Sequence, residues 1–352
     1  SLPEDDIAFP VRTAYRDVQF VRAEVTNIDA IKKEITLSNG KTISYDDLIL
    51  AVGSEGTTFG IPGVAENAFQ MKSVSDARAI RHSLLSTYES VEDGLLPLES
   101  LNVVIVGGGP TGVELAGAVK ELQHEIRREF EHIAPKATVT LLEAGPRLLP
   151  TFHPHSSKYT LKTLTKMGVQ VEVDAAVVEA TSRSLRLKDG REIVAGTRIW
   201  AAGVVAPPHW SFLGETDRGN RIKVNSHLQI SDSIWVVGDV ASSPGSDGRP
   251  LPMVAPVAIQ QGKHVARQIR RREVSAALED FKYRDKGQMA TIGRRKAVVE
   301  MRPWLRFQGS LAWLTWLALH LAYLSGGRNR TSIFADWIWN YIVWTPRRTI
   351  VD

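Results

Sequence analysis

Three glycines spaced G-x-G-x-x-G, Gly107, Gly109 and Gly112, follow the β-branched run Val103-Val104-Ile105-Val106 and open directly into a helical pattern. This is the spacing of a dinucleotide-binding turn. Gly107 permits the tight reversal, Gly109 lets backbone N–H groups approach a pyrophosphate, and Gly112 lets the helix pack closely on its strand. The phosphates would rest at the helix start, Pro110 and Thr111, where unpaired N–H groups and the helix dipole favour negative charge. Glycine turns also join strands to helices without any ligand; the strand before and the helix after favour the nucleotide reading here.

Two carboxylates extend the pattern. Glu143 closes the next apolar strand, Thr138 to Leu142. In that place an acid accepts the adenosine ribose hydroxyls and repels a 2′-phosphate, which favours NAD(H) over NADP(H). Its other reading is a plain surface carboxylate at a strand end. The gap from the glycines exceeds the usual ~20 residues, and the long charged stretch HEIRREFEH accounts for the excess. Asp239 follows Gly238 at the end of a second apolar strand, Ser233 to Val237. There it suits the ribityl chain of a flavin, and the helix that follows, Ala255 to Arg272, can aim its positive end at the isoalloxazine. Gly-Asp is also a common turn. The expected cofactors are FAD and NADH.

The elements that must position these residues read as an internal repeat. Val18 to Val25 and Ile31 to Leu37 alternate like strands, Asn39-Gly40 marks a turn, and Tyr45 to Val52 ends at Ala51-Val52-Gly53. About 150 residues later Val169-Gln170-Val171, Leu187-Lys188-Asp189-Gly190-Arg191 and Ala201-Ala202-Gly203 repeat the series. Two domains of one design follow, each a dinucleotide fold with an inserted β-meander, and the strand ends Ala51, Gly53, Ala202 and Gly203 join the expected cofactor-binding residues. Asp76 to Tyr88 has helical periodicity, and the helix after Gly112 is expected to reach about Ile133, where Pro135 stops it. In the second copy the glycine turn lies roughly 95 residues before the strand end, so its counterpart in the first copy falls about 40 residues ahead of Ser1. The phosphate-binding half of the first copy is therefore expected to be missing through fragmentation, a late start or true loss.

The charge is unevenly placed. Residues 301–352 carry six Arg against Asp336 and Asp352, equal to the whole formal net charge of +4. The same stretch holds six of the nine Trp. Leu311 to Leu324 is apolar all round but too short to span a bilayer, and Ile333 to Trp344 is amphipathic. Trp, Tyr and Arg framing short apolar helices suit a membrane interface; a buried helix pair or a homodimer seam is the other reading. The basic residues lie among apolar runs and not on a polar stripe, which argues against nucleic acid. With no cysteine in the sequence, disulfides, thiolate zinc sites and dithiol redox chemistry are excluded. No metal motif is present: His153-Pro154-His155 lacks the spacing for one helical face.

Several stretches together resemble the type II NADH dehydrogenases: VVIVGGGPTGVELAG, ISYDDLILAVGS, SIWVVGDVA, VAIQQGKHVARQI, YRDKGQMATIGRRKAVVE and AWLTWLALHLAYLSGGRNR. The resemblance runs from about Pro10 to the end. It implies a flavoenzyme of the two-dinucleotide-binding-domain superfamily that passes electrons from NADH to a membrane quinone without pumping protons, held peripherally on the cytoplasmic face of the cell membrane. Carried over, Glu114 matches the family carboxylate near the nicotinamide and flavin, and Ala258, Gln260 and Gln261 match the quinone-side segment. The departure from the pattern is the absent N-terminal FAD motif, so an NAD-binding, membrane-attached module without flavin is the alternative function.

The expected fold is α/β: two Rossmann-like domains with inserted β-meanders, the first truncated, and a C-terminal membrane-associating helical segment. Residues 1–100 form the remainder of the FAD-binding domain, 101–205 the NADH-binding domain, 206–285 the return segment of the FAD-binding domain, and 286–352 the membrane-anchoring region.

Overall fold

The structure, a computed structural model, describes residues 11–324 save 16 and 303, together with 330, 331, 333, 334 and 337. In chain order a single helical turn, Val11–Ala14, precedes an antiparallel meander, β1 (Val25–Asp29), β2 (Glu34–Leu37) and β3 (Thr42–Ser44), which leads into β4 (Leu48–Leu50). Next come β5 (Phe69–Gln70), α1 (Val74–Glu92), β6 (Val103–Val106), α2 (Pro110–Glu125), β7 (Val139–Leu142), α3 (Pro154–Met167) and β8 (Val169–Glu172). A second meander, β9 (Val177–Ala180), β10 (Ser184–Leu187) and β11 (Glu192–Val194), feeds β12 (Thr197–Trp200). The chain continues through β13 (Gln229–Ser231), β14 (Ile234–Val236) and α4 (Ala255–Glu273), and then through β15 (Gln288–Gly293), β16 (Lys296–Arg302), β17 (Leu305–Gln308) and α5 (Ser310–Tyr323).

Residues 56–203, with the described residues from 287 on, pack as one unit, and residues 11–55 with 204–286 as another. The first unit is built on a parallel sheet of order β5-β12-β6-β7-β8. All four residues of β6 and of β7 are buried, in keeping with the unbroken apolar run of β6 and the run of β7 broken only by Thr140. Residues 74–92 belong to this unit because Ile80 and Leu84 of α1 pack into the core under the sheet. Helix α1 starts at a capping box: Ser73 accepts from the Asp76 N–H, and Asp76 accepts from the Ser73 N–H. From β6 the connections through α2 and α3 step outward to β7 and β8, whereas β12 and β5 lie on the other flank. The strand order thus reverses between β6 and β12.

The repeat is visible in the register. In the first meander Val25 pairs with Leu37 and the next pairing, Asn27 with Thr36, skips a residue. In the second, Val177 pairs with Leu187 and Glu179 with Arg186, with the same skip. Both turns close alike, Leu37 N–H to Lys41 O at 2.8 Å and Leu187 N–H to Arg191 O at 2.8 Å, around Gly40 (φ +78°) and Gly190 (φ +90°). In the second unit β4 pairs in parallel with β14, over a core that includes Ile28, Leu50, Trp210, Ile222 and Val236.

Two local expectations are corrected. The helix after Gly112 ends at Glu125 and gives way to short 3-10 turns, because Ile126, Phe130 and Ala134 turn in against Tyr88 and Leu101. Strand structure begins at Val25 and not at Val18, whose neighbours are exposed. Ahead of the C-terminal helix α5 lies a sheet that the sequence reading did not place, with β15, β16 and β17 antiparallel. The amphipathic reading of Ile333 to Trp344 lies mostly outside the described residues.

Candidate nucleotide site

The first unit gathers the glycine turn, Glu143 and the Ala201-Ala202-Gly203 strand end at the carboxyl ends of neighbouring strands. Gly107 has φ +113°, and a Cβ on it would lie 2.8 Å from Ala201 O. A Cβ on Gly112 would lie 1.8 Å from Gly107 O, so the helix start is pressed against the turn itself. Gly109 is different. Nothing lies within 4 Å of where its Cβ would be, which leaves an open approach to the backbone. It is also the N-cap of α2, with no side-chain cap and Pro110 at the helix start, so Thr111 and Gly112 sit in a first turn left for an external acceptor.

Glu143 does more than stand at a strand end. Its Oε2 accepts from the Gly108 N–H at 2.6 Å and its Oε1 from the Gly145 N–H at 2.7 Å, so the carboxylate is clamped onto the glycine turn. Each oxygen keeps a lone pair for a hydroxyl donor. On the other flank of β6, Gly203 ends the β12 run with φ +80°, and the ring of Phe59 covers it.

Glu114, one turn into α2, accepts from the Thr291 N–H at 3.1 Å. Burial pushes its carboxyl from 4.5 up to about 7, opposed by the Thr291 bond and by a hydrogen bond from the Trp316 side chain of α5. Along the same helix face Gly117 meets Ile292 O, and Glu121 accepts from the Arg294 N–H at 2.5 Å. The sequence reading missed Thr291 and Trp316, whose contacts with α2 have no local signal, and Trp316 is hidden inside a uniformly apolar run.

In the second unit Gly238 (φ +77°) and Asp239 follow β14. Ser54 Oγ donates to Asp239 Oδ2 at 2.6 Å, which fixes the carboxylate and leaves Oδ1 for another donor. Gln261 is fully buried: its Oε1 accepts from the Gly238 N–H at 2.7 Å, while its Nε2 has no partner among the described residues. An orphaned buried N–H beside a strand end fits an acceptor supplied by a bound ring. Gly53 (φ +73°), next after Ala51 and Val52 beyond β4, has nothing within 4 Å of its Cβ position. Ala258 lies behind Gly238, its Cβ 3.6 Å from the position a Gly238 Cβ would take. Gln260 points elsewhere, its amide bonded at both ends to the Arg284 backbone, at 3.0 Å each.

Comparison with known proteins identifies the family and the fold. Residues 9–262 match the pyridine nucleotide-disulphide oxidoreductase family and residues 286–343 the NDH2 C-terminal domain. The chain is 36% identical to the type II NADH:quinone oxidoreductase Ndh of Mycobacterium tuberculosis over 96% of its own length and 77% of that protein. It is 31% identical to the type II NADH:quinone oxidoreductase of Staphylococcus haemolyticus, over 85% of this chain and 76% of the relative. The fold superposes on NDH2 from Plasmodium falciparum, solved in complex with NADH, with a TM-score of 0.87, 20% identity, and coverage of 94% of this chain and 85% of that one.

Proposed function

The chain belongs to the type II NADH:quinone oxidoreductases, and on that premise we propose that it oxidises NADH at the first unit and reduces a membrane quinone by way of FAD, without pumping protons. The observation that carries the reading is the open backbone at Gly109, ahead of an uncapped helix and next to Gly108, whose N–H the Glu143 carboxylate holds. The α2 N-terminus takes the pyrophosphate, and Glu143 takes the adenosine ribose and opposes a 2′-phosphate. Asp239, held by Ser54, takes the ribityl hydroxyls, and the free Gln261 Nε2–H donates to a ring carbonyl, of flavin or quinone. Gly53, beyond Ala51 at one strand end, leaves room for backbone contact with a cofactor, and Ala202 and Gly203 close the other strand end, where the Phe59 ring covers Gly203. Bound FAD would supply the redox chemistry, taking a hydride from NADH and passing two electrons to the quinone.

Quinone reduction also needs a proton. Glu114, with its Oε1 held by Thr291 and its carboxyl raised to about 7 by burial, can hold and release one near neutral pH. A positioning role near the nicotinamide uses the same contacts. Gln260 acts in this reading by pinning the segment at Arg284 beside α4.

No helix among the described residues is long and apolar enough to cross a membrane. Leu311, Leu314, Leu319 and Tyr323 are exposed along α5, as is Trp304 ahead of it, which supports attachment to the lipid surface on the cytoplasmic face, where NADH is at hand. Steady-state assay of the full chain with FAD and a soluble quinone is the test. One quinone reduced per NADH, with NADH preferred over NADPH, supports the reading. A chain that binds NADH and reduces nothing is a nucleotide-binding, membrane-attached module instead.

A further inference from the structure

Phe59 is an exposed aromatic ring held in a strained backbone at the point where the strand order of the first unit reverses. Its φ is +52°, a left-handed value that a bulky residue adopts only when its surroundings enforce it. The enforcement is visible. Trp200 Nε1 donates to Thr57 O at 2.8 Å, and the Phe59 N–H donates to Thr57 Oγ1 at 3.1 Å. The ring lies so close over Gly203 that a Cβ there would be 2.2 Å from its Cζ, yet 63% of Phe59 stays exposed. The repeat-related glycine of the other unit, Gly53, has no such cover, so the ring is not a general feature of this strand end.

Strand order gives the ring a ligand. Glu143 stands at the end of β7, the glycine turn at the end of β6 and Gly203 beyond the end of β12, and β7 and β12 flank β6 on opposite sides. A dinucleotide with its pyrophosphate at the turn and its adenosine ribose on Glu143 must send its nicotinamide toward β12. Ligands of open α/β sheets sit at such reversals, outside the carboxyl ends of the strands. We propose that Phe59 is a binding residue for the nicotinamide half of the dinucleotide, its ring packing against the nicotinamide riboside above Gly203. The inference rests on the NADH reading of this unit.

The test is calorimetric titration of the full chain and its Phe59→Ala, Phe59→Leu and Phe59→Gly variants with NAD+ and with ADP-ribose. NAD+ carries the ring without reducing a bound flavin, and ADP-ribose lacks the ring. Phe59→Gly suits the positive φ and guards against a folding artefact. Expected is a rise in the NAD+ Kd of about 5- to 30-fold in the Ala and Gly variants, in the range of aromatic stacking on a base, a smaller rise in Phe59→Leu, and an ADP-ribose Kd unchanged within about twofold. Equal changes for both ligands, or no change with a lowered melting temperature, would make Phe59 packing alone and overturn the inference. A wild-type chain that binds neither ligand would overturn the NADH reading and this inference with it.

Discussion

The Glu114 carboxylate on α2 accepts a hydrogen bond from the backbone N–H of Thr291, 177 residues further along the chain, at 3.1 Å. One contact thus joins the helix that opens at the glycine turn to the first strand of the C-terminal sheet. Burial raises this carboxyl, and the Thr291 contact, with the Trp316 side chain, partly offsets that rise.

That acidity has a signed consequence. Burial raises the Glu114 carboxyl from 4.5 to about 7, so between these values the folded chain holds a proton that the unfolded chain has lost. The group's contribution to stability is full below pH 4.5 and is lost as pH rises through about 7. Urea midpoints of wild type and Glu114→Gln, compared at pH 5 and pH 8, are expected to diverge on the alkaline side, where the variant is the more stable of the two. Trp316→Phe removes a bond to the charged form and moves the wild-type transition to still higher pH.

Gly117 and Gly109 separate packing from binding. A Cβ on Gly117 would lie 1.8 Å from Ile292 O, so Gly117→Ala pushes α2 and β15 apart at a cost of about 1–3 kcal/mol, read as a fall of several degrees in melting temperature. Gly109 has an extended backbone (φ −71°, ψ −178°) that alanine adopts freely, and open space around its Cβ position. Gly109→Ala is expected to leave the melting temperature unchanged and to weaken NADH binding about tenfold or more by obstructing the pyrophosphate. Calorimetry with NADH, run beside the melts, checks both.

Glu143→Gln places an amide in a clamp built for a carboxylate. One of the Gly108 and Gly145 N–H groups then faces another donor. The turn loosens by about 1–3 kcal/mol, and the charge that opposes a 2′-phosphate disappears. Expected is a higher KM for NADH and a rise in the NADPH-to-NADH ratio of kcat/KM, measured in steady state.

Leu311 and Leu314 leave 65% and 55% of their surface exposed on α5. The double change Leu311→Asp, Leu314→Asp is expected to cut sedimentation with anionic phospholipid vesicles several-fold while leaving NAD+ affinity intact, because neither side chain packs into a described core cluster. Unchanged vesicle binding would place the membrane contact elsewhere.

What the sequence made legible was local or repeated. The G-x-G-x-x-G turn, the strands on either side and the two meanders carry fixed spacings, and the meanders repeat down to the skipped residue in their pairing. What escaped depended on contacts made across the chain. Helix α2 stops at Glu125 because Ile126, Phe130 and Ala134 find Tyr88 and Leu101, partners a helical periodicity does not record. Gln260 carries the same amide as Gln261, but one is bonded to the Arg284 backbone and the other keeps a buried free N–H; only the fold tells them apart. The Phe59 ring over Gly203 belongs to the same class, since its meaning comes from strand order.

The most direct test of the account is an anaerobic absorbance titration of the purified full chain, reconstituted with FAD, with NADH. The account predicts that flavin bands are present and bleach with one NADH per bound flavin, and that adding a quinone restores them. A chain that retains FAD and binds NADH while the bands persist would contradict it.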